Sequence, residues 1–165
     1  MSAGRVTNQI HGAITCSNSS FAIVASRFNG QVTQLLVDGA IDAIIRHGGS
    51  EGGVTVVRVP GSFEIPVTVR KLALLGKFDA IIALGTLIEG ETDHYRLICD
   101  EVASGLMQVS LETLTPVTFG VLTVKNSEHA RERAGGKAGN KGWEAAVAAI
   151  EMVNVLSQVE KLTVS

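Results

Sequence analysis

The amino-acid sequence predicts an α/β fold: a three-layer sandwich with a central four-stranded parallel sheet, helices on both faces and an extra strand near the N-terminus. Three observations lead there. Residues 21–25, 54–59, 80–84 and 117–124 are short apolar or β-branched runs without strict alternation, as expected of strands covered on both faces. Between them lie longer segments whose apolar residues recur at helical spacing. Each strand is also separated from the next by enough chain for a parallel crossover, with right-handed connections as the default.

In order, residues 1–20 are polar and irregular apart from one strand-like piece, 10–15, which needs a sheet edge, either its own or a neighbouring subunit's. The run 21–25 ends at Ser26-Arg27-Phe28-Asn29-Gly30. Residues 33–47 read as a helix with Leu36, Ala40, Ala43 and Ile44 on one face, stopped by Gly48-Gly49. The strand 54–59 is broken by Pro60-Gly61. Pro66 is tolerable only in a first helical turn, so a helix runs from there to about Leu75. The third strand, 80–84, leads into a turn bracketed by Gly85 and Gly90. Thr92 or Asp93 can cap the following helix, 94–111. After Thr115-Pro116 comes the fourth strand, 117–124. Asn126 or Ser127 can cap a short helix to Arg133, and 143–156 is the last helix, with Ala146, Ile150 and Val153 as its buried stripe.

Composition narrows the function. The 165 residues suit one domain, 1–165, with 1–20 as an arm. The chain is 45% hydrophobic and 18% charged, a charge deficit that points to further surface buried in an oligomer. The net charge of −2 supplies no basic patch, which excludes nucleic acid as a partner. No apolar stretch is long enough to span a bilayer, and no secretion signal opens the chain; the expectation is a cytoplasmic protein without a membrane partner. Cys16 and Cys99 lack metal-type spacing and are expected as reduced thiols.

The unusual residues fall just after strands. In an open parallel sheet these positions gather at one end, where ligands bind. Phe28 is either a core aromatic or a stacking face for a planar heterocycle. Glu64 either favours a helix dipole or accepts hydrogen bonds from a polyhydroxy ligand. His94, on the first turn of a helix, can move protons near neutral pH. The glycine- and lysine-rich segment 133–142 suits an anion, yet it is not a Walker loop, and no G-x-G-x-x-G occurs. Spacing alone describes a site for a planar polar molecule.

Four segments go further: Arg27-Phe28-Asn29; Val59-Pro60-Gly61-Ser62-Phe63-Glu64-Ile65-Pro66; Gly85-Thr86-Leu87-Ile88 with Gly90-Glu91-Thr92-Asp93-His94-Tyr95; and Glu132-Arg133-Ala134-Gly135-Gly136-Lys137-Ala138-Gly139-Asn140-Lys141-Gly142. In order and spacing they resemble the 6,7-dimethyl-8-ribityllumazine synthase family of riboflavin biosynthesis, from about residue 10 to 156. The main departure is Glu89, where many members carry Arg or Lys. The resemblance implies the flavodoxin-like version of the sandwich. It also implies a transferase that needs no metal or cofactor and condenses 5-amino-6-(D-ribitylamino)uracil with 3,4-dihydroxy-2-butanone 4-phosphate. By resemblance, Phe28 stacks on the pyrimidine, and Asn29 with Ser62, Phe63 and Glu64 holds the ribityl chain. The backbone of Thr86, Leu87 and Ile88 reads the uracil edge. Arg133 with the amides of Glu91 and Thr92 holds phosphate, and His94 moves protons.

Assembly is implied in the same way. It is a homopentamer with sites between subunits, Phe119 and Arg133 coming from the neighbour, and the short 135–142 turn favours twelve pentamers in an icosahedral capsid that could house a riboflavin synthase. Two alternatives stand beside this reading. A non-catalytic flavin- or lumazine-binding cage has no need of His94 and Arg133. An archaeal-type riboflavin synthase has no need of the phosphate-suited segment.

Overall fold

The computed structural model describes residues 8–164; residues 1–7 of the expected arm, and Ser165, lie outside the described residues. Four strands, β1 (Phe21–Ser26), β2 (Val54–Val59), β3 (Ala80–Ile88) and β4 (Val117–Val124), pair in parallel in the order β2-β1-β3-β4. The helices are α1 (Gly30–Arg46), α2 (Ile65–Ala73), α3 (His94–Thr113), α4 (Ser127–Glu132) and α5 (Lys141–Glu160). None of them is long and apolar enough to cross a membrane.

The two central strands explain their own composition. β1 is buried along its whole length, and β3 in all but its last residue. Phe21, Ile23, Ala25, Ile82 and Leu84 point to the face covered by α1 and α5. Ala22, Val24, Ile81, Ala83 and Leu87 point to the face covered by α2 and α3. Alternate residues of one strand thus enter opposite cores, so both sets must be apolar. Each fully buried Ile or Leu contributes about 1.5–3 kcal/mol relative to exposure. β2 and β4 lie at the edges and are only partly covered.

Two expectations need correction. Of the two places open to a strand at 10–15, the chain's own sheet is not taken: the segment forms no strand there. The segment instead lies along α5: Asn154 Nδ2 donates to the carbonyls of Ala13 (2.8 Å) and Thr15 (3.0 Å), and Gln158 Nε2 to His11 O (2.7 Å). Gly12 seats it closely, since a Cβ there would lie 2.3 Å from Glu151 O. Nor does Gly85 end the third strand. The β3 ladder continues to Ile88, and Gly85 sits inside it because a Cβ would meet Ser62 Oγ at 2.7 Å and Ser26 Oγ at 3.2 Å. A glycine in a strand marks a close approach as readily as a turn.

Other boundaries shift by a few residues. α1 starts at Gly30 and α5 runs from Lys141 to Glu160, beyond the expected 33–47 and 143–156. Asn140 caps α5, its Oδ1 accepting from Gly142 N and Trp143 N, and Asn126 caps α4 through His129 N. The glycine-rich connection holds a short antiparallel hairpin, β5 (Ala134–Gly136) with β6 (Gly139–Asn140). Glu132 is clamped to Lys137 at 2.6 Å; that ammonium holds the Glu132 carboxyl below its ordinary range.

Candidate active site

The strand order places the topological switch between β1 and β3. The chain leaves β1 toward β2 on one side, and proceeds from β3 to β4 on the other. Open α/β sheets bind ligands at such a point, beyond the carboxyl ends of the strands. A cavity of about 620 Å³ lies there.

Its walls come from three strand-to-helix connections. After β1, Phe28 and Asn29 line it. Phe28 is 70% exposed, which rules out the core-aromatic reading. Its position is set by backbone bonds across to the next connection, Arg27 N to Val59 O (2.8 Å) and Phe28 N to Pro60 O (3.1 Å). Asn29 adopts a left-handed conformation (φ 55°) at the start of α1, where its carbonyl accepts from Val32 N and Thr33 N. Asparagine tolerates that region better than most residues. Its Nδ2 donates to Thr86 O at 2.8 Å, which ties the β1 connection to β3 across the switch point.

After β2, a short 3-10 turn (Ser62–Glu64) supplies Ser62, Phe63 and Glu64. Glu64 Oε2 accepts from Gly61 N at 2.8 Å, so the carboxylate is held in place. Ser62 is 95% buried by exposure of 5%, yet lines the cavity, and Phe63 is 60% exposed beside it.

After β3, Leu87, Ile88, Gly90, Thr92 and His94 complete the wall. Asp93 stands at the head of α3, but neither its side chain nor that of Thr92 makes a capping bond, contrary to expectation. Arg96 N and Leu97 N donate to the Asp93 carbonyl, so within the first turn the N–H groups of His94 and Tyr95 are the ones left to a ligand or water. Gly90 has open space where a Cβ would stand, as close backbone approach to a ligand requires.

Nine of the thirteen candidate residues meet in this cavity; four do not line it. Thr86 is 1% exposed and lies beneath the wall. Glu91 is exposed in the loop, Phe119 is 44% exposed on edge strand β4, and Arg133 follows α4, with Nη1 3.4 Å from His129 O. The lining includes Glu64 and Glu101 but no Arg or Lys.

Tyr95, Leu97, Ile98 and Glu101 also line the cavity and were not singled out as site residues. A signal existed: Leu97, Ile98 and Glu101 stand three, four and seven residues after His94, the spacing of one helical face. Tyr95 is half-buried. Burial pushes its phenol above the ordinary value, helped by Cys99 and Glu89 and opposed by the Thr123 hydroxyl.

Comparison with known proteins decides the family. The family model for 6,7-dimethyl-8-ribityllumazine synthase matches residues 18–157. The chain belongs to the 6,7-dimethyl-8-ribityllumazine synthase family. A protein of that name from Chlorobium phaeobacteroides (strain BS1) is 54% identical over 91% of this chain and 97% of its own length. Another, from Chlorobaculum parvum, is 55% identical over 91% of this chain and 96% of its own length. The matched region spans all four strands and the whole cavity. The sandwich with its four-stranded parallel sheet is thus the family's fold carried by this chain.

Proposed function

We propose that this protein is a transferase of riboflavin biosynthesis that makes 6,7-dimethyl-8-ribityllumazine. The amine of 5-amino-6-(D-ribitylamino)uracil attacks the ketone of 3,4-dihydroxy-2-butanone 4-phosphate and an imine forms with loss of water. Phosphate leaves, the ribitylamino nitrogen closes the second ring, and a second water is lost. The observation that carries this reading is the single cavity at the switch point, in a chain of this family, that joins the Phe28, Glu64 and His94 segments.

The roles follow from what each group can do. Phe28 offers a solvent-exposed ring that a planar pyrimidine would cover. Asn29, Ser62 and the anchored Glu64 carboxylate, beside Phe63, suit the hydroxyls of a ribityl chain. The backbone of Leu87 and Ile88, with Thr86 beneath, suits the uracil edge. His94, which lines the cavity, is assigned the proton shuttle. The amides of Glu91 and Thr92 suit phosphate, but the lining carries no cation. Arg133, with Phe119, is assigned to a neighbouring subunit that completes the site.

That assignment requires an oligomer, read here as a homopentamer, with twelve pentamers forming a capsid able to enclose a partner enzyme. Its support is the number of large apolar side chains left exposed on and beside α2 and α3, including Val67, Leu74, Met107 and Leu111. The reading places the protein in the cytoplasm.

The chemistry needs little beyond holding a reactive amine against an activated ketone; positioning supplies about 7–11 kcal/mol of barrier reduction. A proton shuttle adds about 10²–10⁴-fold. The test is to mix protein with both substrates and follow the lumazine chromophore against a protein-free control. Acceleration over the control, slowed in His94→Ala to a low but measurable rate, is expected. No acceleration by folded, assembled protein would exclude the synthase and favour a binding cage. Complete loss in a folded His94→Ala would mean that His94 does more than move protons.

A further inference from the structure

Among the described residues the polar residues buried as a whole are Ser26, Thr33, Ser62 and Thr86, and all four lie around the carboxyl ends of β1, β2 and β3, beside or beneath the cavity; Thr118, near the start of β4, buries its hydroxyl alone. Polar groups are costly to bury and persist where they are hydrogen-bonded or face a ligand. Their concentration under one wall therefore calls for a use at that wall.

Two of them form a closed circuit with Asn29. Thr33 Oγ1 lies 3.4 Å from Asn29 O and 3.3 Å from Thr86 Oγ1. A carbonyl can only accept, so Thr33 spends its single proton on Asn29 O. Thr86 must then be the donor in the hydroxyl pair. Thr86 also accepts, through its own carbonyl, from Asn29 Nδ2 at 2.8 Å. The same rule orients the amide: Nδ2 must face Thr86 O, which leaves Oδ1 as the end offered elsewhere. Asn29 is thus tied to Thr86 twice, once through its backbone carbonyl by way of Thr33 and once through its side chain.

We propose that Thr33 and Thr86 are positioning residues for the ribityl-bearing substrate: their paired hydroxyls hold Asn29 in its left-handed conformation, with Oδ1 presented to the cavity as a fixed acceptor. This rests on the functional reading above. A left-handed non-glycine residue persists where its surroundings over-determine it, and a satisfied buried network supplies that constraint. Ser26 supports the same turn, its Oγ lying 3.4 Å from Phe28 O.

The test uses Thr33→Val and Thr86→Val, which replace a hydroxyl by a methyl at nearly constant volume. Neither strips Asn29 O of partners, because Val32 N and the backbone N of residue 33 still donate to it at 3.1 Å. Each variant is expected to raise KM for 5-amino-6-(D-ribitylamino)uracil about fivefold, the scale of one neutral hydrogen bond. The change in kcat and in KM for the phosphorylated ketone should be smaller. The double variant should be little worse than either single one, since all three break one circuit. Thr33→Ser and Thr86→Ser should restore KM. If a valine variant does not fold, the alanine variant at that position carries the same expectation. An unchanged KM, an equal rise for both substrates, or failure of serine to restore KM overturns the inference while leaving the synthase reading intact. No turnover by the wild-type protein overturns the functional reading instead.

Discussion

The two faces of the sheet are finished differently. On one, α1 and α5 pack through small residues: Ala40, Ala43, Ala145, Ala146 and Ala149 are all buried, and Gly142 sits directly on the α1 backbone. The large apolar residues still exposed on these two helices, Leu35, Ile45, Met152 and Val159, are only 39–46% exposed. On the other face, α2 and α3 leave Val67, Leu74, Leu97, Met107 and Leu111 at 61–70%, and the cavity opens beside them. One face is completed by the chain itself. The other leaves large apolar side chains exposed and a cavity open beside them.

The largest expected effect breaks the closed face. A Cβ on Gly142 would lie 2.0 Å from Leu36 O, and backbone cannot rotate away as a side chain can. Gly142→Ala should therefore destabilise the protein by about 3 kcal/mol despite alanine's better helix propensity, the upper range for overpacking. Urea unfolding checks it, with a lower midpoint as the expected result. Gly90→Ala on the open side, where nothing lies within 4 Å of the added Cβ, should stay within about 0.5 kcal/mol.

The open face is next. Leu111 is 70% exposed on α3. If that face buries itself against other copies, Leu111→Glu should weaken self-association by about 2 kcal/mol or more, the scale of an interfacial anchor. Sedimentation velocity should show smaller species with the helical content unchanged. Activity should fall with assembly, because the cationic group for phosphate is assigned to the neighbour. An unchanged assembly in Leu111→Glu would mean that this part of α3 faces solvent.

The contrast also shows what the amino-acid sequence makes legible. The closed face was readable because its signals are local: Phe21 to Ala25 with no polar residue, and Leu36, Ala40, Ala43 and Ile44 at helical spacing. Three of the four family segments meet in one cavity for the same reason, since each lies at or just beyond the carboxyl end of a strand. What was hidden depends on other elements. Gly85 reads as a turn residue, yet it is a strand residue making room for Ser62 and Ser26, and no local pattern reports that. The 10–15 piece has strand composition, but Asn154 and Gln158, over 130 residues away in sequence, take its carbonyls. The Thr33–Thr86 pair is likewise invisible before β1 and β3 are adjacent.

The two cysteines sharpen the comparison through pH. Cys16 is buried under α1 and Cys99 is half-buried on α3; both are free. Burial is the main cause raising each thiol above its ordinary value of about 9. The folded state therefore holds these protons more tightly than the unfolded state does. Their stabilisation is complete below about pH 9 and is lost as pH rises through the raised values. Stability to urea should fall from pH 8 to about 10.5, less steeply in Cys99→Ser. With iodoacetamide at neutral pH, Cys99 in the dissociated Leu111→Glu protein should react more slowly than a free thiol, and Cys16 only on unfolding. Equal labelling of both would show that the closed face opens as easily as the other.

The smallest expected effect lies at the end of α3. Leu114 is left-handed (φ 55°) and 78% exposed, so its own side chain gains little from the chain around it. For a leucine that conformation costs about 1–2 kcal/mol, whereas glycine adopts it freely but loses more entropy on folding. The balance favours Leu114→Gly by about 0.5 kcal/mol in a chain whose Leu114 meets only solvent. If Leu114 is instead covered by a neighbouring copy, the glycine variant loses that contact and the assembly melts at a lower temperature. Melting Leu114→Gly in the wild-type background and in the dissociated Leu111→Glu background separates the two. A gain only in the dissociated background would assign the strained leucine to the interface, as one more apolar residue this face keeps for a partner.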